Sequence, residues 1–316
     1  MESDTRIESE EEDLLLISAK TADREKRLAA LSSVLAAIGL TTFKIIVGIA
    51  TGSLGILAEA AHSSLDLVAA VVTFLAVRLS GKPADEEHTY GHGKIENLSA
   101  LFETVLLLLT CVWIIYESIQ RLFFKTVQIE VTFWAFLVMF VSIAIDFSRS
   151  RVLYHAARKH NSQALEADAL HFSTDIWSSS VVIAGLILVK VSELFPALTF
   201  LHRADAVAAL AVAGIVVYVS IQLGMRTIRG LLDSAPKGMV EKIKTAVEGL
   251  MGVIDCHNIR VRYSGPQVFV DAHILVDPNL TIVQAHDLTD KIEAVIRQMI
   301  PGADITVHPE PGETKA

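Results

Sequence analysis

Six stretches of this 316-residue chain are almost wholly apolar, at roughly 29–50, 54–79, 97–121, 129–152, 164–190 and 205–226, and on the order of 20 helical residues suffice to cross about 30 Å of hydrocarbon. The chain therefore reads as six membrane-spanning helices. A hydrophobic share of 52% against a charged share of 20%, with mean hydropathy +0.48, fits a polytopic membrane protein that also carries a soluble part. Only "TGSLG" joins the first two spans, which makes them a tight hairpin. An even number of spans puts both termini on one side. Arg24, Lys26, Arg27, Arg78, Lys82, Lys94, Arg149, Arg151, Arg158, Lys159, Arg226 and Arg229 flank that side, whereas the opposite loops hold Arg121, Lys125, Lys190 and Arg203. The asymmetry assigns both termini to the cytoplasm.

The formal net charge of -9 owes much to the N-terminal "ESDTRIESEEED" and to the C-terminal third. Without a Lys/Arg stripe, nucleic acid is not an expected partner. Two cysteines, Cys111 and Cys256, make neither a disulfide framework nor a Cys-based zinc finger. Residues 1–27 lack the pattern of a signal peptide and read as a flexible acidic tail. Residues 28–230 hold the six spans. After "RGLLDSAP" the character turns globular: an amphipathic helix, two alternating strands around "GPQ", a second amphipathic helix and the closing strand "ADITVHP". The order αββαβ over 231–311 suits a small two-layer α+β domain, followed by a short tail, 312–316.

Chemistry enters through charges inside the apolar runs. His62 and Asp66 stand four residues apart in the second span, and His171 and Asp175 repeat that spacing in the fifth. Residues i and i+4 share one helix face. Two arrangements satisfy such groups in lipid: each His bonds the Asp of its own helix, or all four converge on one cation. Their repetition on two helices favours convergence, because ionisable groups in hydrocarbon cost several kcal/mol and mark functional sites. Two imidazoles and two carboxylates make a tetrahedral N2O2 donor set that suits Zn2+ and accepts neighbouring divalent metals. Asp85, His88 and His92, in "PADEEHTYGHGKIEN", can fold toward one ion or remain a solvated loop. His257, His273, His286 and His308 fall on different elements of the soluble domain, where scattered surface histidines are the usual case.

Taken together, six spans with HxxxD in the second and fifth, "GHGKIEN" after the second, and a cytoplasmic αββαβ domain resemble the cation diffusion facilitator family of divalent-metal/proton antiporters, in its bacterial iron/zinc-efflux-like branch. The resemblance covers about residues 28–311. It implies a homodimer in the bacterial inner membrane, with ferredoxin-like C-terminal domains paired in the cytoplasm, Zn2+ as substrate and as regulatory ion, protons as counter-ions and no organic cofactor. By motif, His62, Asp66, His171 and Asp175 match the transport-site ligands, with His at position 62 resembling the zinc-preferring pattern over iron or cadmium. Asp85, His88 and His92 match a loop site. "CHNIRVR", "DAHILVD", "QAH" and "TVHPEP" match the segments that bind a regulatory metal pair at the dimer contact, with His257, His273, His286 and His308 as ligand candidates and Glu310 where relatives carry Asp. Lys94 and Asp233 match a charge interlock at the dimer. A membrane scaffold or sensor that does not transport, and an intramembrane metalloenzyme, are the competing classes; the chain has no HExxH motif.

Overall fold

The computed structural model describes residues 2–123, 133–194 and 204–312. Six long helices come first: α1 (Glu2–Thr51), α2 (Leu54–Ser80), α3 (Lys94–Phe123), α4 (Phe133–His160), α5 (Gln163–Leu194) and α6 (Ala204–Leu231). Among the described residues, all but α5 include a segment long and apolar enough to cross a membrane by length and composition. α5 has the length, 32 residues; Glu166, Asp168, His171 and Asp175 crowd its first half. Lys125 and Arg203, two of the basic residues in the charge asymmetry, lie outside the described residues. α1 begins at Glu2, so the segment expected to be a flexible tail has helical backbone; its Glu, Leu, Ala and Lys are strong helix formers, uninterrupted by Gly or Pro.

Packing in the membrane part inverts the rule for water. α2 buries Ala60, Ser63, Asp66, Ala69, Ala70 and Thr73, while Leu65 and Val68 on the same helix are 68% and 57% exposed. Lipid tails are as apolar as leucine, so small residues let helix backbones approach and polar groups hold them together. Ser53 caps α2 by accepting from the Ile56 amide. Deeper ties are ionic. The Lys26 ammonium on α1 donates to Glu96 Oε1 on α3 at 2.7 Å, with both side chains buried. The same carboxylate accepts from Ser80 at 3.0 Å and from Ser162, at the corner between α4 and α5. Arg149 on α4 donates to Asp146 and to Ser33 on α1, and its guanidinium lies 3.4 Å from the centroid of Phe172 on α5. Ser33 in turn donates to Asp168.

The second unit holds the soluble domain and the loop Lys82–Lys94. Its elements are α7 (Met239–Glu248), β1 (Asp255–Ser264), β2 (Gln267–Val276), α8 (Ile282–Met299) and β3 (Asp304–Pro311). β2 is central, antiparallel to β1 and parallel to β3, so α8 serves as the crossover that a parallel pair requires. Ile243 and Val247 of α7 and Leu288, Ile292 and Ile296 of α8 pack on Val261, Val270, Ala272, Ile274 and Ile305 of the sheet. A capping box between Thr281 and Gln284 starts α8. Period-two alternation leaves His257, His273 and His308 on the face away from the helices.

Residues 82–94, counted with the membrane part in the sequence reading, pack instead against the end of this sheet. Tyr90 meets Phe269 edge-on at 5.2 Å, and the Arg262 guanidinium lies 3.4 Å from the Tyr90 ring centroid. Gly93 is required there, since a Cβ would fall 2.1 Å from the Ser264 carbonyl oxygen.

Removing one partner of the Lys26–Glu96 pair strands a buried charge, which costs about 3–5 kcal/mol. Lys26→Met should therefore lower the thermal midpoint of the detergent-solubilised protein, followed by Trp fluorescence, and adding Glu96→Gln should recover most of the loss. Equal midpoints for Lys26→Met and the parent would contradict this reading of the pair.

Candidate metal centres

The two HxxxD pairs meet between α2 and α5. His171 Nε2 lies 3.3 Å from Asp66 Oδ1 and 3.6 Å from Asp175 Oδ2, and His62 Nε2 lies 3.9 Å from Asp66 Oδ1. Ligand atoms of His62, Asp66 and Asp175 can all fall within 4.8 Å of one another. The contacts run across the helices as well as along them, so the within-helix pairing alone does not describe the site. Asp66 and His171 are buried, whereas the His62 side chain is 46% exposed. Within one chain the quartet is thus packed in protein on the His171 side and uncovered on the His62 side.

Three charged neighbours join the four predicted ligands: Lys44, Glu103, and Glu59, a carboxylate of the second span that the sequence leaves without a role. The buried Lys44 ammonium donates to Ser63 at 2.8 Å and to Glu59 at 3.2 Å, which gives Glu59 a partner. Glu103 on α3 is wholly buried, with Oε2 3.7 Å from His171 Nδ1. Each stood out as a charge in an apolar run, the available signal, but their helices and rotations are set by packing.

The loop cluster also assembles. Asp85 Oδ1 accepts from the backbone amides of Glu87 and His88, a local Asx turn. His88 Nδ1 then stands 3.3 Å from Asp85 Oδ1 and His92 Nε2 3.4 Å from Asp85 Oδ2. The His88 backbone amide, foremost, holds the Asp85 carboxyl below the usual carboxylate range. Gly91, at φ 72°, supplies the reversal.

In the soluble domain the sheet register aligns His257 with His273, and His273 with His308. Asn258, at φ 50°, sits in a bulge that shifts register between His257 and Arg260. Glu310 lies two residues along β3 from His308, on the same face: its Oε1 is 2.8 Å from His273 Nδ1 and its Oε2 3.3 Å from His257 Nε2. His308 Nε2 is 3.9 Å from Glu310 Oε1. His286, expected with this group, is not brought to it; it is exposed on α8 and faces Asp290 at 3.9 Å. Lys94 and Asp233 do pair, at 2.9 Å within one chain.

Buried donors inside a helical membrane unit, joined to an αββαβ domain carrying a histidine row, define a multi-pass membrane protein equipped to bind divalent cations. The model of the cation efflux transmembrane domain matches residues 30–232, and that of the cation efflux protein cytoplasmic domain matches residues 235–312. The chain belongs to the cation efflux, or cation diffusion facilitator, family, and is a transporter. It is 34% identical over 290 residues to the cation-efflux pump FieF of Salmonella newport (strain SL254), covering 90% of this chain and 92% of that one, and matches the FieF of Salmonella paratyphi A to the same extent. Among solved structures, the zinc form of CzrB is 30% identical with a TM-score of 0.24, covering 27% of this chain and 98% of that one.

The hydrogen bond from His273 holds the Glu310 carboxyl below the usual range for Glu. A folded-state pKa below the unfolded one stabilises the sheet face above the unfolded value, and that contribution is lost as pH falls through the folded value. Carboxyl-carbon NMR should place the Glu310 midpoint below that of an ordinary Glu, and His273→Ala should move it up. An unmoved midpoint in His273→Ala would contradict the pairing.

Proposed function

We propose that this protein exports divalent cations, Zn2+ foremost, from the cytoplasm in exchange for protons, by alternating access in a homodimer of the bacterial inner membrane with both termini cytoplasmic. The observation that carries the reading is the quartet His62, Asp66, His171 and Asp175, two nitrogens and two carboxylates converging from two helices. Neutral imidazole and carboxylate are a donor set zinc accepts at four-coordination. The same donor set also accepts Fe2+, Cd2+, Co2+ and Mn2+, any of which is the alternative main substrate of the same antiport.

Cation and proton compete because a ligating imidazole must be neutral. In the inward-facing state the quartet takes the cation; once the helices rock and the site faces outward, protonation of His62 or His171 weakens the donor set and the cation leaves. The inward proton gradient then drives export. The exposed His62 side chain, beside the buried His171, supports an entry path on the His62 flank. Asp85, His88 and His92 form a second cation site in the loop. His257, His273, His308 and Glu310 form a regulatory one, with His286 contributing only through a different contact, and Lys94 with Asp233 bracing the unit. A regulatory ion shifts transport only if it binds one state better than the other.

In proteoliposomes, His62→Ala and Asp175→Ala should each reduce Zn2+-driven proton movement to background, while a series of Zn2+, Cd2+, Fe2+, Co2+ and Mn2+ ranks the substrates. Parental flux in both variants would sink the assignment, and a parent that binds Zn2+ without moving it would make the protein a sensor.

A further inference from the structure

Glu103 is a buried carboxylate that the exchange mechanism above does not use. It sits on α3 with no exposed surface. Its Oε1 accepts a hydrogen bond from the Thr73 hydroxyl on α2 at 3.2 Å. Among the described residues its Oε2 has no hydrogen-bond partner, and neither does His171 Nδ1. These two atoms face each other at 3.7 Å. Two buried polar groups left orphaned side by side call for an explanation.

The chemistry of imidazole supplies that explanation. A neutral ring has one N–H and one lone pair. Nε2 of His171 is the nitrogen turned toward Asp66 and Asp175, so it needs its lone pair for the cation. The proton then belongs on Nδ1, where a buried N–H requires an acceptor. Glu103 Oε2 is the acceptor within reach. Thr73 holds the other oxygen and thereby aims the carboxylate. His62 differs, because its side chain is 46% exposed and neither of its ring nitrogens is among the buried unpartnered atoms of the described residues.

We propose that Glu103 is the positioning residue of the quartet: it accepts the Nδ1 hydrogen of His171, fixes the tautomer and the ring plane, and so sets cation affinity without being a ligand. The proposal rests on the reading of the quartet as the cation site. Outer-shell acceptors of this kind change metal affinity by about 10–100-fold when removed. It also makes the site asymmetric, with His171 held from behind and His62 free to move.

The test is Zn2+ calorimetry on the full-length protein in detergent, in a parent whose other clusters are silenced by Asp85→Ala, His92→Ala, His273→Ala and Glu310→Ala. Glu103→Leu should weaken Zn2+ binding about 10–100-fold, and Glu103→Gln, which keeps an acceptor, should recover most of that loss. In a His171→Ala background, Glu103→Leu should add less than about a twofold change, as expected when two residues act through one contact. A merely structural Glu103 would cost the same in both backgrounds, and that result, or parental affinity in Glu103→Leu, overturns the proposal. Should Glu103→Leu fail to fold, Thr73→Val is compared in the same two backgrounds, with a loss expected only where His171 is present. His171→Ala binding Zn2+ as tightly as the parent would instead remove the quartet reading itself, and this proposal with it.

Discussion

A carboxylate placed among lipid-facing helices must find a partner, and Asp66 has one in His171, 3.3 Å away on another helix. The same constraint organises the rest of the membrane unit. Lys26 answers Glu96, Arg149 answers Asp146, and Lys44 answers Glu59. Since lipid removes the hydrophobic drive for helix association, close packing of small residues and these polar contacts fix where each helix sits. The precision of the quartet is therefore inherited from the surrounding pairs.

Those pairs also explain why charges are tolerated near the quartet. Lys44 brings a cation beside His62 and Asp66, yet Ser63 and Glu59 hold its ammonium. Glu103 brings a further carboxylate, whose Oε1 accepts from Thr73 while its Oε2 faces His171 Nδ1 at 3.7 Å. On the proposed reading of the quartet, a cation meets Asp66 and His171 held in packed protein, the kind of pre-organisation that lowers the cost of binding.

Much of this was legible in the residues. Period 3.6 with an i, i+4 repeat is enough to pair His62 with Asp66 and His171 with Asp175, and charges in apolar runs mark them out. The histidines of the soluble domain are visible one by one, but aligning His257, His273 and His308 in a row needs the strand register, including the bulge at Asn258. Less visible were contacts whose partners are distant in sequence. Lys26 with Glu96 and Glu103 with His171 join different helices, and spacing along one helix carries no information about rotation of the next. His286 shows the converse. A matching motif places it among the ligand candidates at the dimer contact, and within one chain its imidazole faces Asp290 on α8 and not the row on the sheet. The loop 82–94 likewise looks like a connector between spans, and its stacking through Tyr90 on Arg262 of β1 joins residues too distant in sequence for spacing to pair.

The central claim is that one cation is held by two imidazoles and two carboxylates drawn from α2 and α5. X-ray absorption at the zinc edge, on full-length protein whose loop and sheet clusters have been replaced, reads that coordination directly. The account predicts four light-atom ligands at about 2.0–2.2 Å, with the outer-shell scattering of two imidazoles, falling to one in His171→Ala. A zinc ion with no imidazole scattering, or a spectrum unchanged by His171→Ala, would contradict it.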